Sequence, residues 1–323
     1  MRKQHWTFIV VLALMAQGVA VAAKKDKTEA QAPPQPPRIV KKRIAVMPVD
    51  VQIEQWNWAF GPTSITGGLT EMATTALVDT DLVVVVERAG IGDILSEQQL
   101  AEEGVTTKET GAQKGRVIGA EYLVRGALTE FEYAAEGGGG GVAIRGFRIG
   151  GSKSKARLGL DVRVYNSSTS QVISSEHVTG SASRSATAVG ASIGSIDVHA
   201  DAFKKTPLGS AMRDAVDKWV AFVVQVLGKE PWRGRIVKVD GDKVYINAGS
   251  ELGIQAGDVF EVWHEGEALV DPETGLELGR ESEKVGTIQV ITVAEKYAIA
   301  QAVEGETFER GDLIMQMNFS APE

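Results

Sequence analysis

Hydrophobic and polar positions fall into two textures along this chain, helical and strand-like segments in turn up to about residue 228 and short strands alone after it. RIAVMPVD, from Arg43 to Asp50, is the apolar run of a buried strand. TSITGGLTEMATTALVDT then repeats Ile65, Leu69, Met72 and Ala76/Leu77 at helical spacing, with Thr63 or Ser64 available as N-cap. LVVVVE, from Leu82 to Glu87, is apolar on both faces and therefore predicts a central strand. GIGDILSEQQLAEE sets Ile91, Ile94 and Leu95 on one side of a helix, and TTKETGAQKGRVIG predicts a short further helix ending near Gly119.

EYLVRGALTEFEY, ARLGLDVRVYN and QVISSEHVTGSAS read as strands, with SSTS as the turn between the last two. PLGSAMRDAVDKWVAFVVQVLGK carries the broadest apolar stripe, through Met212, Ala215/Val216, Trp219, Phe222/Val223 and Val226/Leu227. Pro207 sits near its start and Gly228 fits a C-cap. Residues 43–228 are thus expected to form an α/β domain with a mixed sheet. After EPWRG the pattern becomes short strands joined by Asp-Gly and Gly-Asp turns, with Asp240-Gly241 a hairpin signal. Residues 232–317 are expected to be a small all-β barrel or sandwich.

Composition changes this picture at the N-terminus. Arg2 and Lys3 precede TFIVVLALMAQGVAVAA, an apolar run ending in small residues, so residues 1–23 read as a secretory signal peptide. An uncleaved membrane anchor is the other reading. Residues 24–42, rich in Pro, Gln, Ala and Lys, read as an extended disordered linker. There is no cysteine, hence no disulfide, no thiolate metal site and no lipid-attachment cysteine after the signal. The charge is −8, two units more negative once Arg2 and Lys3 are removed, which argues against nucleic acid as a partner. No apolar run of about 18 residues follows the signal.

Catalytic candidates are thin. His177, His199 and His264 lie in different elements without metal-ligand spacing. IRGFRIGGSKSK lacks the Gly-Lys-Ser/Thr of a phosphate loop and leads into a strand, and the glycine run leads to no helix. VDGDK and DPETG carry paired acids but sit as turns. The expectation is a protein that is not an enzyme, with no catalytic residue, metal or cofactor.

Two segments interrupt the first domain: Phe131–Ser154, with five consecutive glycines, and Gly180–Lys205. Each is long enough for a hairpin with arms of about 10 residues, the length that crosses a bilayer when tilted. Phe131, Tyr133 and Ala135 alternate with Glu132, Ala134 and Glu136, and Ile196, Val198, Ala200 and Ala202 alternate with Ser195, Asp197, His199 and Asp201. Ser183, Ser185, Thr187, Val189, Ala191 and Ile193 form a weaker apolar face. One hairpin alone would leave unpaired backbone groups in hydrocarbon, whereas a ring of subunits closes a barrel without edges. The pattern itself leaves membrane hairpins and glycine-rich surface loops equally open.

A resemblance bears on that choice. LTEMATTALVDTDLVVVVERAGIGDILSEQQL, with Glu87-Arg88 and Gly90, and AEYLVRGALTEFEY followed by glycines and LGLDVRVYNSSTSQVISS resemble the CsgG family of curli secretion channel subunits, from about Arg43 to Gly228. Ser170 stands where that family usually has Gly. GRIVKVDGDKVYINAGSELGIQAGDVFEVW and DPETGLELG resemble the C-terminal domain of the flagellar assembly protein FlgT.

The first resemblance implies a ring-shaped homo-oligomer in the outer membrane, with inserted hairpins building one barrel through Phe131, Tyr133, Ile193, Ile196 and Val198. It also implies a pore constriction in IEQWNWAFGPTS, formed by Trp56, Asn57, Trp58 and Phe60. The expected function is export of an unfolded protein substrate, with further copies of the chain, outer-membrane lipid and the secreted protein or accessory assembly factors as partners. The alternative is a soluble periplasmic scaffold that assists assembly of an envelope or flagellar structure. The chain departs from the family in lacking the lipidated cysteine and in adding the C-terminal domain.

Overall fold

The computed structural model describes residues 40–53, 62–136, 142–144, 147–149, 153–185, 206–305 and 307–316. Two folds share them. The first is a mixed sheet in the order β3-β1-β4-β7-β8, with β2 beside β4. Its strands are β1 (Lys42–Val46), β2 (Asp50–Val51), β3 (Val83–Val85), β4 (Tyr122–Glu136), β7 (Lys153–Asn166) and β8 (Val172–Ser185). β1, β2, β3 and β4 pair parallel; β4, β7 and β8 pair antiparallel. A two-stranded piece, β5 (Val142–Ile144) and β6 (Phe147–Ile149), lies between β4 and β7 in sequence.

Helices α1 (Pro62–Asp79) and α3 (Pro207–Lys229) pack on each other and on this sheet. The stripe of α3 is buried from Leu208 to Leu227, and Trp219 lies at its centre with no exposed surface. Gly126 of β4 makes room for that indole: a β-carbon there would stand 3.0 Å from the ring. Thr206 caps α3 by accepting a 3.0 Å hydrogen bond from the Gly209 amide, with Pro207 at the first helical position. Gly228 is not the cap; it lies inside the last turn, and the helix stops at Lys229 with Glu230 extended. Pro231 is the reason, because the residue before proline is driven out of the helical region.

Two other expectations are corrected. No helix spans 105–119; α2 (Ile91–Glu102) gives way at Gly104, whose φ is +75°, and turns follow, with Gly115 again at +75°. β3 is not central but the sheet's margin. Its apolarity on both faces has a different cause. Val83 belongs to the α/β core, whereas Val84 packs against the core of the second fold.

That second fold is a closed six-stranded antiparallel barrel in the order β10-β13-β12-β11-β14-β9. Its strands are β9 (Arg233–Asp240), β10 (Lys243–Ile246), β11 (Val259–Val270), β12 (Glu277–Val293), β13 (Ala298–Glu304) and β14 (Leu313–Gln316). The Asp240-Gly241 hairpin forms as expected, with Gly241 at φ +57°. Trp232 and Phe260 meet at 5.5 Å inside the barrel. Val40, just before β1, is buried in this same core, and the Lys41 amide donates to the Leu252 carbonyl at 2.9 Å. The chain therefore enters the barrel's flank before it enters the sheet.

Candidate functional site at the outward ends of β4, β7 and β8

β4, β7 and β8 are about twice the length of an ordinary strand. Their pairing continues to Glu136 opposite Lys153 and Lys153 opposite Ser185, so the three strands leave the core side by side. These are the described ends of the segments 131–154 and 180–205. At the other end of β4, Tyr122 lies near Glu230 and Arg233 at the start of the barrel. Burial above all, and then the nearby Glu230 charge, pushes its hydroxyl up to about 12. The barrel and the outward strand ends thus occupy opposite ends of the sheet.

The outward half has two unlike faces. On one side Phe131, Tyr133, Ala156, Leu158 and Ala182 continue the α/β core, and burial raises the Tyr133 hydroxyl above its ordinary value. On the other side stand charges. Arg157 pairs with Glu130 at 3.4 Å, and the His177 Nδ1 lies 2.6 Å from Asp161 with its Nε2 3.9 Å from Glu130. Nearer the middle of β4, Arg125 pairs with Asp50 through its Nε at 2.8 Å. Gly159 leaves space for this cluster, since a β-carbon there would be 2.9 Å from the His177 ring.

β8 is fastened to α3 where it turns outward. The Ser181 amide donates to Asp214 at 3.0 Å, and Lys218 donates to Asp214 at 2.9 Å and to the Thr179 carbonyl at 2.7 Å. Desolvation opposes ionisation of Asp214, yet the bonds from Lys218 and Ser181 together with the Lys218 charge outweigh it and hold the carboxyl below its usual range. Gly180 permits this approach, because a β-carbon there would lie 2.7 Å from both the amide nitrogen and the β-carbon of Ala215. Sequence reasoning missed this fastening. Its signal was present, as Ala211 and Ala215 are small residues one turn apart on an otherwise bulky stripe.

Of the residues expected at the site, Phe131 and Tyr133 are half-buried against the chain's own core. Ile193, Ile196 and Val198 lie outside the described residues, as do Trp56, Asn57, Trp58 and Phe60. The described chain before those four ends at Ile53, where Val51 pairs with Leu128 and the Gln52 amide donates to the Leu128 carbonyl at 2.9 Å.

α2 is built unlike the other helices. Among the described residues it packs closely on no other helix or strand, and only Gln98 is buried within it. Ile94, Leu95 and Leu100 are exposed, Leu95 to 51%. Twelve residues are too few to hold a helix firmly in water without packing.

The described residues thus form a mixed-sheet α/β fold with long paired strands and an added small barrel. Residues 23–248 match the family model described as curli production assembly/transport component CsgG, more than half of the chain, and the chain belongs to that family. Residues 241–309 match the flagellar assembly protein T, C-terminal domain. An uncharacterized protein of Aquifex aeolicus (strain VF5) is 31% identical over 81 residues, 25% of this chain; the match takes in 16% of that relative's length. Among solved structures, the hypothetical protein CT253 from Chlamydia trachomatis aligns with a TM-score of 0.36 at 18% identity, covering 58% of this chain and 98% of that one. The PelC dodecamer from Paraburkholderia phytofirmans aligns with a TM-score of 0.30 at 14% identity, covering 58% and 90%.

Proposed function

We propose that the chain is a secretion subunit of the outer membrane: copies assemble into a ring, segments 131–154 and 180–205 supply membrane hairpins, and an unfolded protein passes a constriction at Trp56–Phe60. No covalent chemistry or cofactor is needed; narrowing and electrostatics select what passes. The observation that carries this reading is the continuous pairing of β4, β7 and β8 outward from the core. Strands that leave a soluble fold already hydrogen-bonded bring few unpaired backbone groups to a bilayer, and only their margins await a neighbour. Exposed Ile94, Leu95 and Leu100 of α2 support assembly, since a neighbouring copy would bury them. In this arrangement the barrel stands at the end of the sheet away from the membrane.

A second reading has its own support. Phe131 and Tyr133, expected on a lipid face, instead pack inward, which suits a periplasmic scaffold whose glycine-rich segments stay in water. One experiment separates the two. Ile196→Arg with Val198→Arg should block membrane insertion if these residues face lipid, at about 2–4 kcal/mol per charge near the bilayer midplane. The wild-type chain should then remain with outer membranes through carbonate washing as a heat-modifiable ring, and the variant should not. Release of the wild type into the periplasmic fraction would establish the scaffold reading.

A further inference from the structure

β11 and β12 outgrow their barrel. β14 pairs with β11 only from Phe260 to Trp263, and β13 pairs with β12 only from Thr287 to Val293. Beyond those limits β11 and β12 pair with each other alone, out to Val270 opposite Glu277. The result is a two-stranded arm of roughly 20–25 Å. Its base is tied down by Arg235–Glu265 at 2.7 Å and His264–Asp312 at 2.9 Å. Its tip is closed by an Asp271 turn, in which the Gly275 amide donates to the Asp271 carbonyl at 2.8 Å and the Thr274 hydroxyl to its carboxylate at 2.6 Å.

Such an arm contradicts what an isolated hairpin does in water, where two strands alone are marginal. It leaves both strand margins with free backbone donors and acceptors among the described residues. It also exposes four large apolar side chains near the tip, Leu269, Val270, Leu276 and Leu278, the last to 72%. Scattered exposed leucines need no explanation; four within ten residues on an otherwise unsupported element do.

Charge decides what covers them. Residues 264–285 hold seven acidic side chains against Arg280, Lys284 and, at the base, His264. Arg280 and Lys284 are occupied by Glu277 and Glu261, while Glu267, Glu281 and Glu283 have no ion pair among the described residues. An anionic lipid surface would repel this arm. The arm of another copy would repel it as well. We infer that the β11–β12 arm is a docking site for a basic, aliphatic-rich extended segment of a partner protein. That segment adds a strand to an open margin of the arm, sets its apolar side chains against Leu276 and Leu278, and sets its lysines or arginines against Glu267, Glu281 and Glu283.

The test uses the full-length chain and two fluorescent peptides of equal length, one alternating Lys with Val and one alternating Glu with Val. The Lys-Val peptide should bind and the Glu-Val peptide should not. Amides of 264–270 and 277–284 should exchange more slowly in the bound state. Leu276→Ser/Leu278→Ser and Glu267→Lys/Glu281→Lys/Glu283→Lys should each weaken binding about tenfold or more, the second with a loss of salt dependence. Both variants lie outside the barrel, and an unchanged thermal midpoint checks that they fold. Equal binding by the variants or by the Glu-Val peptide, absence of binding, or unaltered arm exchange would overturn the assignment. So would a tip variant that changes only the oligomeric state or only sedimentation with anionic vesicles, which would transfer the arm to self-association or to lipid.

Discussion

Gly180 of β8 lies against Ala215 of α3 so closely that no side chain fits between them: an added β-carbon would meet the Ala215 amide nitrogen and β-carbon at 2.7 Å, and the Ala211 carbonyl oxygen more closely still. Neither neighbour is the free end of a flexible side chain, so the helix itself must move. Gly180→Ala should destabilise by about 3 kcal/mol or more, above the usual range for overpacking. Gly126→Ala, whose new carbon would press only on the Trp219 ring at 3.0 Å, should cost about 1 kcal/mol. Urea unfolding of the two variants compares them directly; equal losses would refute the close approach.

Ser170 adopts φ +58° in the turn between β7 and β8, the left-handed conformation that glycine takes without strain. The turn is otherwise well made, with the Asn166 side chain accepting from the Ser168 and Thr169 amides. Ser170→Gly should therefore raise stability by about 0.5–1 kcal/mol, less than the full relief of strain because glycine also loosens the unfolded chain. A chemical melt that shows no gain or a loss would contradict it.

His264 is held in its charged form above the ordinary histidine value of 6.5, first by its hydrogen bond to Asp312 and then by that carboxylate's charge. A histidine whose folded value is raised contributes stability that is fully present below the unfolded value and lost as pH rises through the folded one. The barrel should thus lose stability as pH rises from the ordinary histidine value through the raised folded one, and His264→Gln should remove this dependence while leaving the alkaline midpoint nearly unchanged. Thermal melts across that range read both. Parallel curves for the two proteins would show that the pair carries no linkage.

Val84 faces the barrel from the margin of the α/β sheet. Val84→Asp should destabilise by about 2 kcal/mol or more, because a carboxylate would be set against an apolar core without a partner. Removing the chain after Glu230 uncovers the same position, so the truncated protein should expose β3 and aggregate. Light scattering of both altered proteins against the wild type tests the dependence; a truncated chain that scatters and melts as the wild type does would deny it.

Leu95→Glu/Leu100→Glu on α2 should leave the melting of the isolated subunit within about 0.5 kcal/mol of wild type, since neither side chain packs on the core. The same variant should fail to form rings in detergent. Intact rings would release α2 from any part in assembly.

These residues also show which parts of the molecule could be read from its amino acids. α3 was legible because its apolar stripe is local and reports one buried face. The Asp240-Gly241 hairpin was legible because its turn chemistry is equally local, Gly241 supplying the positive φ. β3 was misplaced because apolarity records only that both faces are covered, not by what; a second sheet neighbour and a separate barrel look alike from within LVVVVE. The arm was invisible because residues 264–285 bury almost nothing, so no periodic signal marks them as strand. Of the candidate site, the long strands were readable, but Gly180, Asp214 and Lys218 are distant in sequence and meet only when α3 lies on β8.

β4 runs from the barrel's threshold at Tyr122 to Glu136, gripped by β7 over nearly its whole length apart from one irregularity between Leu128 and Glu130. Traction along that strand would load its rungs in parallel, as in shear, instead of peeling them apart one at a time. A pull at the far end would then be felt by the whole α/β body together, and the molecule would behave as a stiff tie under tension.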